Sequence, residues 1–203
     1  MRRISKVFPS FILFATLACW VLPHGAYGES SNHDTWKNFS AAQKRYALFG
    51  FIDCHRLLFP HANASMYNAD ERVYGEVDKL AADNGDTPIG RLILDAMRKT
   101  PAAAPDNHAE HGGVDDGMLW RGLIEREKEA YVQGVFWCAE VAPAMTVSLS
   151  EKSAGAAVKA LDDWYVVADD DWKDPRSNAR VDVPVAVAMQ RTGILSIRPA
   201  KKP

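Results

Sequence analysis

Cysteine is scarce in this chain, three in 203 residues, too few for a fold held together mainly by disulfides. Charge of one sign is also missing. Against 26 acidic residues stand 24 basic ones, for a net charge of −2, so there is no basic excess to engage nucleic acid or an anionic membrane. Only one long apolar run occurs, at the N-terminus. Strict apolar–polar alternation is absent, which argues against a sheet protein. No Gly-x-Ser-x-Gly elbow, phosphate-binding glycine loop or His-Glu-x-x-His helix is present, so three common catalytic constellations are excluded.

What is present begins with an export signal. Arg2, Arg3 and Lys6 precede an apolar run from Val7 to Leu22, and Ala26 and Gly28 occupy small-residue positions, so residues 1–28 are expected to be a signal peptide cleaved before Glu29. A membrane anchor is the alternative, but the run contains Pro9 and falls short of the roughly 20 apolar residues a span requires. Lipidation at Cys19 is a second alternative, although "TLAC" has no good branched residue three places before the cysteine. Three of the 24 basic residues leave with the signal, none of the 26 acidic ones does, and the mature chain carries −5. The expected location is the periplasm or the exterior, with no stable membrane insertion after cleavage and no nucleic-acid partner.

The mature chain repeats itself. "AAQKRYALFGFIDC" (Ala41–Cys54) is echoed by "EREKEAYVQGVFWC" (Glu125–Cys138). Trp36, Lys44, Gly50 and Cys54 match Trp120, Lys128, Gly134 and Cys138 at a common spacing of 84, and Phe39 matches Leu123. Tyr46 and Tyr131 fall out of register, opposite Ala130 and Ala47. Rare residues recurring at one spacing point to internal duplication. Helical periodicity predicts amphipathic helices over roughly 36–58 and 119–140. Second helices are expected in "NADERVYGEVDKLAAD" (Asn68–Asp83) and "SLSEKSAGAAVKALDDWYVV" (Ser148–Val167), opened by Asn68 with Glu71 and by Ser148 with Glu151. Pro88 and Pro184 are placed to start third helices. The interval from proline to methionine is four residues shorter in the second copy (Pro184–Met189 against Pro88–Met97), about one helical turn. The expectation is an all-α fold of two three-helix units about a pseudo-twofold. Their limits are 29–100 and 119–203, joined by a Pro-, Ala- and Gly-rich linker at 101–118. A loop at 168–180 interrupts the second unit, and the tail from Arg198 to Pro203 is expected to fray.

Glycine inside a helix costs about 1 kcal/mol against alanine, so its recurrence beside cysteine calls for a reason. Gly50 with Cys54 and Gly134 with Cys138 would form smooth strips on which two helices cross closely, with Cys54 and Cys138 meeting as a disulfide. Two separate buried thiols are the alternative.

Other candidates are weaker. His108 and His111, with Asp115 and Asp116 nearby, could take Zn or Cu loosely but lack a firm third ligand, and a solvated linker is the plainer reading. "DDDWKD" (Asp169–Asp174) lacks the glycine and distal glutamate of a calcium loop. Glu125, Glu127 and Glu129 alternate with basic residues as exposed helix pairs do. His55 follows Cys54 but points about 100° away, so it does not activate the thiol. Asn38 and Asn63 open glycosylation-type sequons that carry no weight in a bacterial cell. Trp36 and Trp120 read as core. Trp137, Trp164 and Trp172 are less accounted for and could line a groove for a peptide or ring-bearing ligand. No cofactor is called for.

A Trp-x-x-(Leu/Phe) segment leading to Lys-x-x-Tyr-x-x-Gly on one helix, then "VDKL" or "VKAL" on a second and an Asn/Asp-containing loop into a proline, resembles a family of small exported bacterial proteins of unknown function that carry this helix pair once. In the second copy Trp120, Leu123, Lys128, Tyr131, Gly134, Leu161, Tyr165, Asn178, Val183 and Pro184 carry it. In the first, Trp36, Phe39, Lys44, Gly50, Leu80, Asn84 and Pro88 do. In size, export, helix content and cysteine use the chain is also similar to the periplasmic immunity proteins that neutralise type VI secretion amidase effectors. That likeness implies a non-catalytic role, binding an enzyme or another periplasmic or envelope protein. The rival expectations are an envelope-acting hydrolase using Asp162, Asp163 and Asp169–Asp171, and weak metal binding through His108 and His111.

Overall fold

The computed structural model describes residues 29–60, 71–100, 117–142, 145–149, 153–166 and 183–199. Among these are eight helices and two short strands. In chain order they are α1 (Glu29–Asn38), α2 (Ala41–Leu58), α3 (Glu71–Asp83), α4 (Ile89–Lys99), α5 (Gly117–Gly122), α6 (Glu125–Glu140), β1 (Met145–Leu149), α7 (Ala154–Val166), α8 (Val185–Arg191) and β2 (Leu195–Pro199). The fold is mostly helical, as the periodicity implied.

Each long first helix expected from the sequence is broken near its start. At the first break, the Phe39 amide donates to the Trp36 carbonyl at 3.2 Å, and Ser40 caps α2. The Ser40 hydroxyl accepts from the Gln43 amide, and the Gln43 side chain accepts from the Ser40 amide, a reciprocal pair that satisfies donors at the helix start. The second break copies the first: Leu123 donates to the Trp120 carbonyl at 3.2 Å, and the Ile124 amide donates to the Glu127 carboxylate. Trp36 and Cys54 therefore do not share one continuous helix. Both are still buried, because the turn folds α1 back onto the same core. Apolar spacing runs through Phe39 and Leu123, and periodicity alone does not see the interruption.

α2 and α6 form the centre, each crossing the other over its middle. α3 packs on α2 and α7 on α6, while the third helices reach across the centre: α4 packs on α3 and α6, and α8 on α7 and α2. Pro88 and Pro184 stand at the N-caps of α4 and α8, one position earlier than expected, with ψ of 136° and 142°. Their carbonyls accept the first helical amides, Leu92 (3.2 Å) and Ala188 (2.9 Å). A ring with no N–H and a fixed φ fits such a start without loss. Both helices end alike, with the hydroxyls of Thr100 and Thr192 donating to the carbonyls of Ala96 and Ala188.

The strands are a departure from the all-α expectation. β1 and β2 pair antiparallel, Met145 opposite Pro199 and Leu149 opposite Leu195. Ser148 therefore lies in a strand and does not start a helix; α7 begins instead behind Ser153, whose hydroxyl accepts from the Ala156 amide. Gly193, at φ 77°, supplies the left-handed residue that turns α8 into β2. Pairing with β1 also holds Arg198 and Pro199, which the sequence placed at the edge of a fraying tail. Five residues are too few for a two-residue period to stand out. Asn68, the expected cap before α3, lies outside the described residues, as do the signal region 1–28 and the loop 168–180. No helix among the described residues is long and apolar enough to cross a membrane.

Candidate functional site

The crossing of α2 and α6 rests on two glycines. A Cβ on Gly50 would lie 2.8 Å from the carbonyl carbon of Tyr131 and closer still to its oxygen; one on Gly134 would lie 2.7 Å from the carbonyl carbon of Ala47. Both obstacles are backbone, which cannot swing aside. One turn further on, Cys54 and Cys138 are joined as a disulfide with a Cα separation of 6.2 Å, both fully buried. The glycines and cysteines singled out in the sequence thus come together in one seam. Gly90 makes a third close approach, bringing the start of α4 against the Trp137 backbone, with 3.0 Å from its would-be Cβ to the carbonyl carbon.

Flanking the seam are two clusters of identical design. The Trp36 indole donates to Asp78 at 2.8 Å, and Trp120 donates to Asp162 at 2.8 Å. Lys44 reaches Asp78 at 2.7 Å and Lys128 reaches Asp162 at 2.7 Å. Each lysine also sits 5.4 Å from the ring centre of its tryptophan, a cation–π contact. A carboxylate on the second helix of each set thus ties it both to the short first helix and to the central one. Asp78 and Asp162 are also 84 apart, so the contacts correspond in a register three residues away from a match of "VDKL" to "VKAL". That register was the signal for this pair, and matching the leucines hid it.

Between the clusters the contacts diverge. Trp137 is buried, 5.9 Å from Trp36 edge-to-face and 5.9 Å from Phe39. Its indole nitrogen has no hydrogen-bond partner among the described residues. On the other side Tyr131 stands edge-to-face to Trp120 at 6.1 Å, and its hydroxyl donates to Asp53 at 2.7 Å. Of the three tryptophans proposed for a groove, Trp137 lies in the core. Trp164 is half-buried against Tyr165, with ring centres 4.9 Å apart, and Trp172 is outside the described residues. His108, His111 and Asp169–Asp171 also fall outside them. Among the described residues no cluster of His, Cys, Asp and Glu is arranged to hold a metal ion.

Three further features complete the surface. His55 lies between Phe51 and Phe59 at ring distances of 6.2 and 4.7 Å, and burial together with the nearby Arg98 charge lowers its pKa. A cavity of about 390 Å³ opens over α3 and α4, with Leu80 and Leu92 beneath a rim that includes Asp95, Arg98 and Lys99. Those rim groups pair within the protein, Arg98 with Asp95 and Lys99 with Glu76. Lastly, Ile124 is 63% exposed and Leu119 40%, the two exposed large apolar side chains among the described residues. Ile124 occupies the N-cap of α6, the place Ser40 holds for α2, and sequence reasoning passed it over.

No protein-family model, curated protein or solved structure matches the chain.

Proposed function

We propose that this is an exported, non-catalytic helical protein that binds another protein in the periplasm. On this reading two copies of one helical unit are packed about a pseudo-twofold at the Gly–Cys seam, and the junction of α5 and α6 is the contact surface. The recurrence at a spacing of 84 of the Trp–Asp–Lys clusters, the close-approach glycines and the cysteines supports the duplicated architecture.

Ile124 is the observation that carries the binding role. A helix N-cap favours Ser, Thr, Asp or Asn, whose side chain accepts from the first-turn amides; an aliphatic residue there forgoes about 1 kcal/mol. The corresponding Ser40 makes that bond. At position 124 an isoleucine instead turns most of its surface to water, flanked by Glu125 and Glu127 of the first turn of α6. An exposed apolar side chain retained at a cost in stability fits selection for contact. Its surroundings carry both signs of charge, Glu125 and Glu127 with Arg126 between them, which fits a partner that presents an apolar pocket with a mixed polar rim. The likeness to immunity proteins makes a periplasmic enzyme held in check a natural partner class.

The hydrolase alternative is less well supported. Asp162, one of the carboxylates it would use, is engaged by Trp120 and Lys128 just as Asp78 is by Trp36 and Lys44. A matched pair of carboxylates tying helices together is structural work.

Ile124→Ser separates folding from binding. It restores a capping hydroxyl, so thermal stability is expected to rise by about 1 kcal/mol, while capture of a stoichiometric partner from envelope extract is expected to fall. If the variant binds that partner as well as the wild type does, this surface is not the one used.

A further inference from the structure

The proposed duplication leaves a problem of recognition. If the seam is alike in both halves, with Gly50 and Gly134 and with Cys54 and Cys138, nothing in it prevents a half from clasping the same half of a second chain. We infer that Ala47 with Trp137, and Tyr131 with Asp53, form complementary fillings that make each half accept only the other; the inference rests on the proposed duplication.

In the 84-residue correspondence Ala47 answers to Tyr131 and Asp53 to Trp137. Each of the two cluster tryptophans receives one further large ring from this set, but from a different position. Beside Trp36 the ring is Trp137, contributed by the other half across the seam. Beside Trp120 it is Tyr131, contributed by the same half, with Asp53 reaching across to accept its hydroxyl. Two first halves brought together would offer only Ala47 and Asp53, leaving a void beside Trp36 and a carboxylate without its hydroxyl donor. Two second halves would offer both Tyr131 and Trp137, two rings where one fits. Voids and overpacking both destabilise a close-packed interface. Matched first and second halves avoid both faults. Discrimination thus resides in these four residues, and its consequence is chemical: during oxidative folding Cys54 is steered to Cys138 and away from another chain's Cys54.

Refolding of the reduced, denatured full chain in a glutathione buffer, with disulfides mapped by non-reducing mass spectrometry, tests this. The wild type is expected to yield the Cys54–Cys138 link within one chain. Asp53→Trp alone adds a second ring beside Trp120, and Tyr131→Ala alone leaves none; each is expected to lower the unfolding midpoint. Together they recreate the Ala-plus-Trp filling, so the double variant is expected to recover most of that loss. It also makes the two halves alike, and Cys54–Cys54 and Cys138–Cys138 links between chains are expected to increase roughly tenfold or more, the ratio that 1.4 kcal/mol of lost discrimination gives. A double variant no more stable than its weaker single, or one with the wild-type link pattern, overturns the inference. Tyr131→Phe keeps the ring and is expected to keep the single wild-type link; links between like cysteines in that variant would also overturn it. Comparing Gly50→Ala with Gly134→Ala tests the duplication separately: equal losses there, with no rescue here, remove only the pairing rule.

Discussion

Replacing Gly50 by alanine tests the seam most directly, because two effects of known sign oppose each other there. Inside a helix the change ordinarily stabilises by about 1 kcal/mol, since alanine restricts the unfolded chain more and forms helix more readily. At Gly50 the added methyl would overlap the Tyr131 carbonyl, lying 2.8 Å from its carbon. That carbonyl belongs to the backbone of α6, so relief requires moving a whole helix. One turn away the Cys54–Cys138 bridge holds the two helices together and resists that movement. Overpacking of this kind costs about 1–3 kcal/mol and more when the obstacle is rigid. We expect the steric cost to win by about 2 kcal/mol, lowering the melting temperature by roughly 4–8 °C for a chain of this size. Gly134→Ala faces the Ala47 backbone in the same geometry and should lose a similar amount. Gly75, in α3, has nothing within 4 Å of its would-be Cβ, so Gly75→Ala should gain stability by up to about 1 kcal/mol. Thermal unfolding of the three variants under non-reducing conditions decides the matter. If Gly50→Ala is as stable as the wild type, or shifts in the same direction as Gly75→Ala, the close crossing is not what the glycine serves.

Replacing both Cys54 and Cys138 by alanine removes a bridge across 84 residues of chain. In the chain-entropy model this costs about 4–5 kcal/mol, read as a fall of roughly 8–20 °C in melting temperature, and a fall under 3 °C would refute a stabilising role. Asp78→Ala and Asp162→Ala each strand a tryptophan N–H and a mostly buried lysine. With the carboxylates partly exposed, each should cost about 1–2 kcal/mol in urea unfolding, the two alike; a marked inequality would mean that one carboxylate has another task. His55 has a lowered pKa in the fold, so the folded state favours the neutral ring. Its stabilising share is complete above the ordinary value of 6.5 and is lost as pH falls below it. His55→Phe, which keeps ring contact with Phe51 and Phe59, should therefore flatten the decline in melting temperature between about pH 7 and pH 5; an unchanged slope would assign the decline to other groups.

How much of this could be read beforehand differed from residue to residue. Glycine and cysteine at one spacing exposed the seam because a helical glycine needs a reason and paired cysteines in a chain expected to be exported suggest one. Breaks at Phe39 and Leu123 stayed hidden because those residues keep the apolar stripe continuous while the backbone turns. Yet Ser40 with Gln43 is a capping box, and it lay in plain sight. At the second break the signal is absent from the sequence: Ile124 is a poor cap, and only the fold reveals that it occupies one. The strands were too short to show a period. Asp78 and Asp162 escaped notice because the second helices were aligned by their leucines, whereas tertiary contacts obey the aspartates. Trp137 was judged by its position on the helix, and its burial depends on Trp36 and Phe39 arriving from α1 and the turn that follows it.

On the proposed duplication, comparison between the halves separates two kinds of residue. Contacts present in both, the indole–carboxylate–lysine clusters and the close-approach glycines, are needed wherever this helical unit packs, so their chemistry is explained by folding alone. Departures need other reasons. On the pairing inferred above, Tyr131 and Trp137 of the second half and Ala47 and Asp53 of the first compensate one another, one large ring standing beside each cluster tryptophan. Ile124 against Ser40 is of another kind: the position gives up a capping hydroxyl and leaves most of an apolar side chain exposed among the described residues. A change that compensates is explained within the molecule. One that does not is what the proposed contact would explain, and the proposal accordingly puts that contact at the start of α6.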